Sequence, residues 1–146
     1  MRQSQGFTLI EIIVVLTIIA VCVAFTLPNF LGPTEQARAQ TAQNNLLAIY
    51  SAEQNFLNNN NTYYSSQNPA QDDSPGIDTA LGLNIPTDGT YQYDCSGVTC
   101  TATRGSPSPG AVTITLTLNK PIALTGGGTL NPLCSSSGSY STWCNF

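Results

Sequence analysis

Two groups of side chains stand where chemistry must be arranged for them. Glu11 is a carboxylate inside an apolar run: from Phe7 to Leu27 only Thr8, Glu11, Thr17 and Thr26 are polar. A carboxylate in lipid or in a dry protein core is costly, so it needs a proton or a cationic partner and defaults to a functional role. The second group is the cysteines. Cys22 lies within the same apolar run and reads as a small hydrophobe. Cys95, Cys100, Cys134 and Cys144 fall in the polar remainder of the chain. No Cys-x-x-Cys and no histidine accompany them, which argues against zinc and for disulfides in an oxidising compartment. Four cysteines allow three connectivities. Cys95–Cys100 and Cys134–Cys144 are the favoured pairs.

Other chemistry is missing. Without histidine the commonest general base is gone, and no motif supplies a nucleophile–base pair, so the chain does not read as an enzyme. Gly126–Gly128 lacks the lysine and helix of a phosphate loop. Asp72, Asp73, Asp78, Asp88 and Asp94 have no EF-hand spacing and read as solvated loop acids, so neither metal nor cofactor is expected. Asn60-Asn61-Thr62 matches a glycosylation pattern, a weak signal. The only cations are Arg2, Arg38, Arg104 and Lys120 against eight carboxylates, a net charge of −4. A binder that neutralises phosphates would carry a basic patch, so no nucleic-acid partner is expected.

The elements that must position these residues are legible in outline. The 21 residues from Phe7 to Leu27 are long enough, as a helix, to span the roughly 30 Å hydrocarbon core of a bilayer. The run is too long for a signal-peptide core, and no small-x-small cleavage site follows it. Pro28 predicts a kink, and Gly32-Pro33 adds a second breaker, so residues 24–33 are expected to be bent or locally unwound. A new helix then starts near Thr34, with Thr34 as N-cap and Glu35 near its positive end. Ala39, Ala42, Leu46, Ile49, Tyr50, Glu53 and Leu57 form its buried stripe, with Glu53 the exception. Asn58–Asn61 ends it. Residues 62–90 read as a long loop with a short helix or turn around Ile77–Leu83. Tyr91–Cys95 and Val98–Thr103 read as a hairpin around Ser96-Gly97. Ala111–Leu118 alternates strictly, so Val112, Ile114, Leu116 and Leu118 face the helix stripe.

Gly6-Phe7-Thr8-Leu9-Ile10-Glu11, the apolar helix and Pro28-Asn29-Phe30 together resemble the N-terminus of type IV pilins and pseudopilins. The resemblance is strong over residues 1–31 and weaker to about Tyr64. It implies a leader, residues 1–6, cut by a prepilin peptidase between Gly6 and Phe7, with methylation of the new Phe7 amine. It implies that residues 7–31 are first a membrane anchor and then a filament-core helix. Glu11 would pair with the Phe7 amine of a neighbouring subunit, and Phe7, Glu11 and Pro28 would serve assembly. Relatives often have a glycine eight residues before this proline; Ala20 stands there, which opposes melting towards Phe7. The implied fold is α+β: a long N-terminal α-helix, hydrophobic then amphipathic, packed on a small antiparallel β-sheet head spanning 32–146, pilin-like. The C-terminal loop closed by Cys134–Cys144 resembles a region that forms exposed surface in pilins. Tyr140 and Trp143 within it are contact candidates, with packing onto the sheet the favoured role.

The implied function is a structural subunit of a type IV pilus serving adhesion, motility or surface interaction. Its partners would be identical or homologous subunits, the peptidase and the inner membrane before assembly. The alternatives are a type II secretion pseudopilin in a periplasmic pseudopilus and a minor pilin for adhesion or DNA uptake. Ile49–Phe56 with Tyr63-Tyr64 leans towards pilins.

Overall fold

A computed structural model describes residues 6–26, 31–67, 72–86, 89–105, 110, 112–125, 130–137 and 143–144. Pro28, Tyr140 and Asp88 lie outside the described residues. The chain divides into two units, Met1–Thr34 and Glu35–Phe146. The elements are α1 (Leu9–Thr26), α2 (Leu31–Asn60), α3 (Ser74–Leu81), β1 (Tyr91–Ser96), β2 (Thr99–Arg104), β3 (Val112–Thr117) and β4 (Leu133–Ser136). The expected α+β arrangement is present.

α1 is apolar around its whole circumference, so it has no polar face to turn to water. α2 begins earlier than Thr34. Gly32 and Pro33 lie in its first turn, where proline's missing N–H costs nothing because those groups have no intrahelical acceptor. The expected unwinding is therefore absent at 24–26 and at 31–33, both of which are helical. α2 ends at Asn60, and Asn61 adopts the left-handed conformation (φ 55°) that stops many helices.

The sheet is a four-stranded antiparallel meander in the order β1-β2-β3-β4. The β1–β2 turn is Gly97-Val98, one residue later than expected, with Gly97 at φ 56° as a primed two-residue turn requires. Tyr91, Tyr93 and Cys95 of β1, Cys100 and Ala102 of β2, and Val112, Ile114 and Leu116 of β3 join Leu118 in one core with Ala39, Ala42, Leu46 and Ile49 of α2. The helical spacing of three and four and the strand spacing of two thus meet in a single layer. Ile77 of α3 and Ile85 close the core from the loop side.

β4 comes from a tail with no readable strand. Asn131 explains its docking. Its side-chain oxygen accepts from the Thr117 N–H at 2.7 Å, and its side-chain amide donates to the Thr117 carbonyl at 2.9 Å. One side chain thereby satisfies the backbone at the end of β3 as a neighbouring strand would. Leu133 and Cys134 then pair with Thr115 and Ile114.

Candidate functional site

The N-terminal segment places its residues plainly. Gly6, Phe7 and Thr8 precede α1 and are exposed. Nothing lies within 4 Å of the position a Cβ on Gly6 would take, so within this chain no packing demands glycine there. Thr8 is the N-cap. Its hydroxyl oxygen accepts from the Glu11 N–H at 3.3 Å, and its carbonyl accepts from the Glu11 and Ile12 N–H groups at 3.1 and 3.4 Å. Thr8-x-x-Glu11 is the sequence signature of a capping box. The exposed Glu11 carboxylate sits in the first turn, where the helix dipole favours negative charge. That local role does not require burial, so it coexists with pairing to another charge.

Beyond Glu11 the surface is apolar. Phe7 is 80% exposed, and Leu9, Ile10, Ile12, Ile13, Val14, Val15, Leu16, Ile18, Ile19, Val21 and Val23 are all between 47% and 77% exposed. Monomeric soluble proteins rarely leave a contiguous patch of that kind uncovered. Cys22 is a free, exposed thiol on the same helix. Among the described residues no helix is long and apolar enough to cross a membrane. The 18 residues of α1 rise only about 27 Å, just short of a bilayer core by themselves.

In the head, Cys95 is bonded to Cys100 and Cys134 to Cys144. Cys95 and Cys100 are directly opposed on β1 and β2 with Cα atoms 4.1 Å apart, close to a non-hydrogen-bonded pair. Trp143 packs against the core, the role favoured for it.

Two charged arrangements were not visible in the sequence. Glu35 is not merely near a helix start. Its Oε2 accepts from Arg104 Nε at 2.9 Å and its Oε1 from Arg104 Nη2 at 3.2 Å, and Arg104 Nη1 donates to the Thr90 carbonyl at 2.7 Å. Arg104 is 1% exposed, and Arg38 reaches Glu35 from the outer side. Glu53 is fully buried. Its Oε2 accepts from the Tyr64 N–H at 3.0 Å, while Oε1 has no partner. Burial pushes its carboxyl above the ordinary carboxylate range, against the pull of the Tyr64 N–H.

An acidic neighbourhood continues from there. Tyr64 donates to Asp73 at 2.8 Å, and its hydroxyl is pushed up to about 12 by burial and then by that bond. Gly76 sits so close to this pair that a Cβ would collide with both partners. Burial also raises Asp94, against the pull of a Ser66 hydrogen bond. The Glu53 carboxylate and the sulfurs of Cys95 and Cys100 lie within 4.8 Å of one another. Both sulfurs are disulfide-bonded and offer no thiolate, so this is not a metal centre while that bond is intact.

Comparison with known proteins bears on the N-terminal segment. Residues 1–27 match the prokaryotic N-terminal methylation motif. The chain is 34% identical over 61 residues to the type IV major pilin protein PilA of Myxococcus xanthus, covering 42% of this chain and 28% of that one. It is 36% identical over 63 residues to the type II secretion system core protein G of Vibrio cholerae, covering 43% of each. It is 34% identical over 67 residues to the type IV wide pilus major component PilA4 of Thermus thermophilus, covering 46% of this chain and 51% of that one. These matches span from about a quarter to half of the relatives' lengths. The motif and the relatives together support a type IV pilin or pseudopilin. The lean towards pilins drawn from Ile49–Phe56 gains no support, since relatives of both kinds match at similar identity.

Proposed function

We propose that this chain is a structural subunit of an extracytoplasmic filament, a type IV pilus, and not an enzyme. The observation that carries the reading is α1: an exposed apolar helix that lies within the residues matched by the methylation motif. Residues 1–6 are the leader, a prepilin peptidase cuts Gly6–Phe7, and the Phe7 amine is methylated. Residues 7–31, which include α1, hold the subunit in the inner membrane and then enter the filament core. Residues 32–146 form the head. Covering the exposed side chains of α1 supplies on the order of 10–20 kcal/mol relative to water, less relative to lipid.

Glu11 in such a core requires a cation, and the Phe7 amine of a neighbouring subunit is the one the motif provides. A subunit displaced along the axis would leave both charges unmet, so the pair acts as a register device. Pro28 is the third residue we assign to assembly. The second reading is a periplasmic type II secretion pseudopilus, favoured by the protein G relatives. Both readings share the assembly step.

The test is Glu11→Leu. The variant should insert, be cleaved and be methylated as wild type, yet enter sheared filaments or envelope fibres at a tenth of the normal yield or less. Wild-type yield would remove the pairing from the account.

A further inference from the structure

The two sulfurs that link β1 to β2 have a third neighbour. A carboxylate oxygen of Glu53, on α2, and the Sγ atoms of Cys95 and Cys100 all lie within 4.8 Å of one another, and all three residues are 0% exposed. Among the described residues this is the one such group of three acidic or cysteine side chains. Glu53 is not satisfied there. Its Oε1 is buried and has no hydrogen-bond partner, and among the described residues no ion pair reaches it. A buried carboxylate in that state is costly, and a disulfide has no S–H to donate to it.

Every disulfide begins as two thiols, and in that earlier state the same three side chains form a ligand set. Zinc, a borderline-soft ion, takes both thiolate and carboxylate ligands. Zn–S of about 2.3 Å and Zn–O of about 2.0–2.2 Å place tetrahedral donor atoms roughly 3.5–3.8 Å apart, a spacing that side-chain rotation can reach from the one here. The ligands are also held from behind. The Tyr64 N–H donates to Glu53 Oε2 at 3.0 Å and leaves Oε1 free. The Ser66 N–H donates to the Cys95 carbonyl at 2.7 Å, and the Ser66 hydroxyl oxygen accepts from the Cys95 N–H at 3.1 Å. Residues 64–66 thus fix Glu53 and Cys95 together, as the outer partners of a metal site do. Strand pairing sets Cys100 directly opposite Cys95.

We infer that the head, before its Cys95–Cys100 bond forms or after that bond is reduced, binds one Zn²⁺ through Cys95 Sγ, Cys100 Sγ and a Glu53 carboxylate oxygen. Binding displaces the two thiol protons and any proton on Glu53, and it transfers no electrons. Metal and disulfide exclude one another, because both use the same sulfurs. The site uses none of Phe7, Glu11 and Pro28, so it stands or falls independently of the filament reading.

The experiment uses the full-length chain in detergent micelles with Cys22, Cys134 and Cys144 replaced by serine, so that only Cys95 and Cys100 remain. The chain is reduced with a phosphine, freed of reductant under argon, and titrated at pH 7 with Co²⁺ and then with Zn²⁺. A thiolate-to-cobalt charge-transfer band and d–d bands of tetrahedral intensity are expected, saturating at one ion per chain and bleached by Zn²⁺. Glu53→Gln, which keeps an acceptor for the Tyr64 N–H, should weaken binding at least tenfold, and the oxidised chain should not bind. Zn²⁺ should raise the melting temperature of the reduced chain alone; if reduction unfolds the head, Zn²⁺ should restore its near-ultraviolet circular dichroism. Four results would overturn the inference. They are no charge-transfer band, undiminished binding in Glu53→Gln, equal binding by the oxidised chain, or a reduced head that stays unfolded with Zn²⁺ bound. The second would mean chelation by two thiols alone, and the third a site elsewhere.

Discussion

Replacing Arg104 by methionine should be among the most damaging single changes in the head. The guanidinium is 1% exposed and donates to both Glu35 oxygens and to the Thr90 carbonyl. Its removal leaves the Glu35 carboxylate, 10% exposed at the side chain, to the outer Arg38 alone. Breaking a buried pair from one side typically costs about 3–5 kcal/mol, because the remaining charge stays desolvated. For a domain of this size that corresponds to a fall in melting temperature of roughly 10–20 °C. The double variant Glu35→Leu/Arg104→Met removes both charges. It should recover most of the loss, because no lone charge is left buried and the Thr90 carbonyl still accepts from the Gly105 N–H at 2.9 Å. The assay is urea and thermal unfolding of the full-length chain in micelles, followed by near-ultraviolet circular dichroism, in a double-mutant cycle. A coupling of about 2–4 kcal/mol is expected, with little dependence on salt. A single-variant cost below about 1 kcal/mol, or strictly additive effects, would refute the reasoning.

Three further outcomes follow from the same structure. Glu53 has a raised carboxyl, so the folded state holds its proton more tightly than the unfolded chain does. Its stabilising contribution is complete below the unfolded pKa and is lost as pH rises through the folded one. Glu53→Gln should therefore flatten the fall in melting temperature between pH 4 and pH 7, and an unchanged slope would assign that fall elsewhere, for instance to Asp94. Cys134→Ser/Cys144→Ser opens a loop of sequence separation 10, which by chain entropy should cost about 3 kcal/mol in urea unfolding; a cost near zero would mean that β4 is held without the link. Gly6→Val should leave the melting temperature unchanged, since nothing surrounds that position, while blocking cleavage as read by intact mass. Normal cleavage would remove Gly6 from the processing site.

The parts of this fold that repeat were legible in the residues. The Ala39–Ala42–Leu46–Ile49 stripe and the Val112–Ile114–Leu116–Leu118 alternation announce their partners because burial imposes a period. Glu35 with Arg104 could not be read, because the two are 69 residues apart and each looks like an ordinary polar position. Glu53 was seen as a break in the stripe, but its burial depends on the Tyr64 N–H arriving from beyond the helix end. β4 has no alternation of its own; an Asn131 side chain and ladder bonds to β3 place it. Pro33 does not break α2, because a proline breaks a helix interior yet suits a first turn, and only the start at Leu31 distinguishes the two. At the N-terminal site both the motif and the Thr8-x-x-Glu11 spacing of the cap are present in the residues.

The most direct test of the filament account is the intact mass and first residue of the protein in fibres from the source cells. The account predicts a chain beginning at N-methylated Phe7 as a component of sheared surface filaments or of an envelope-bound pseudopilus. A chain still beginning at Met1, or one cut after Leu27, would contradict it.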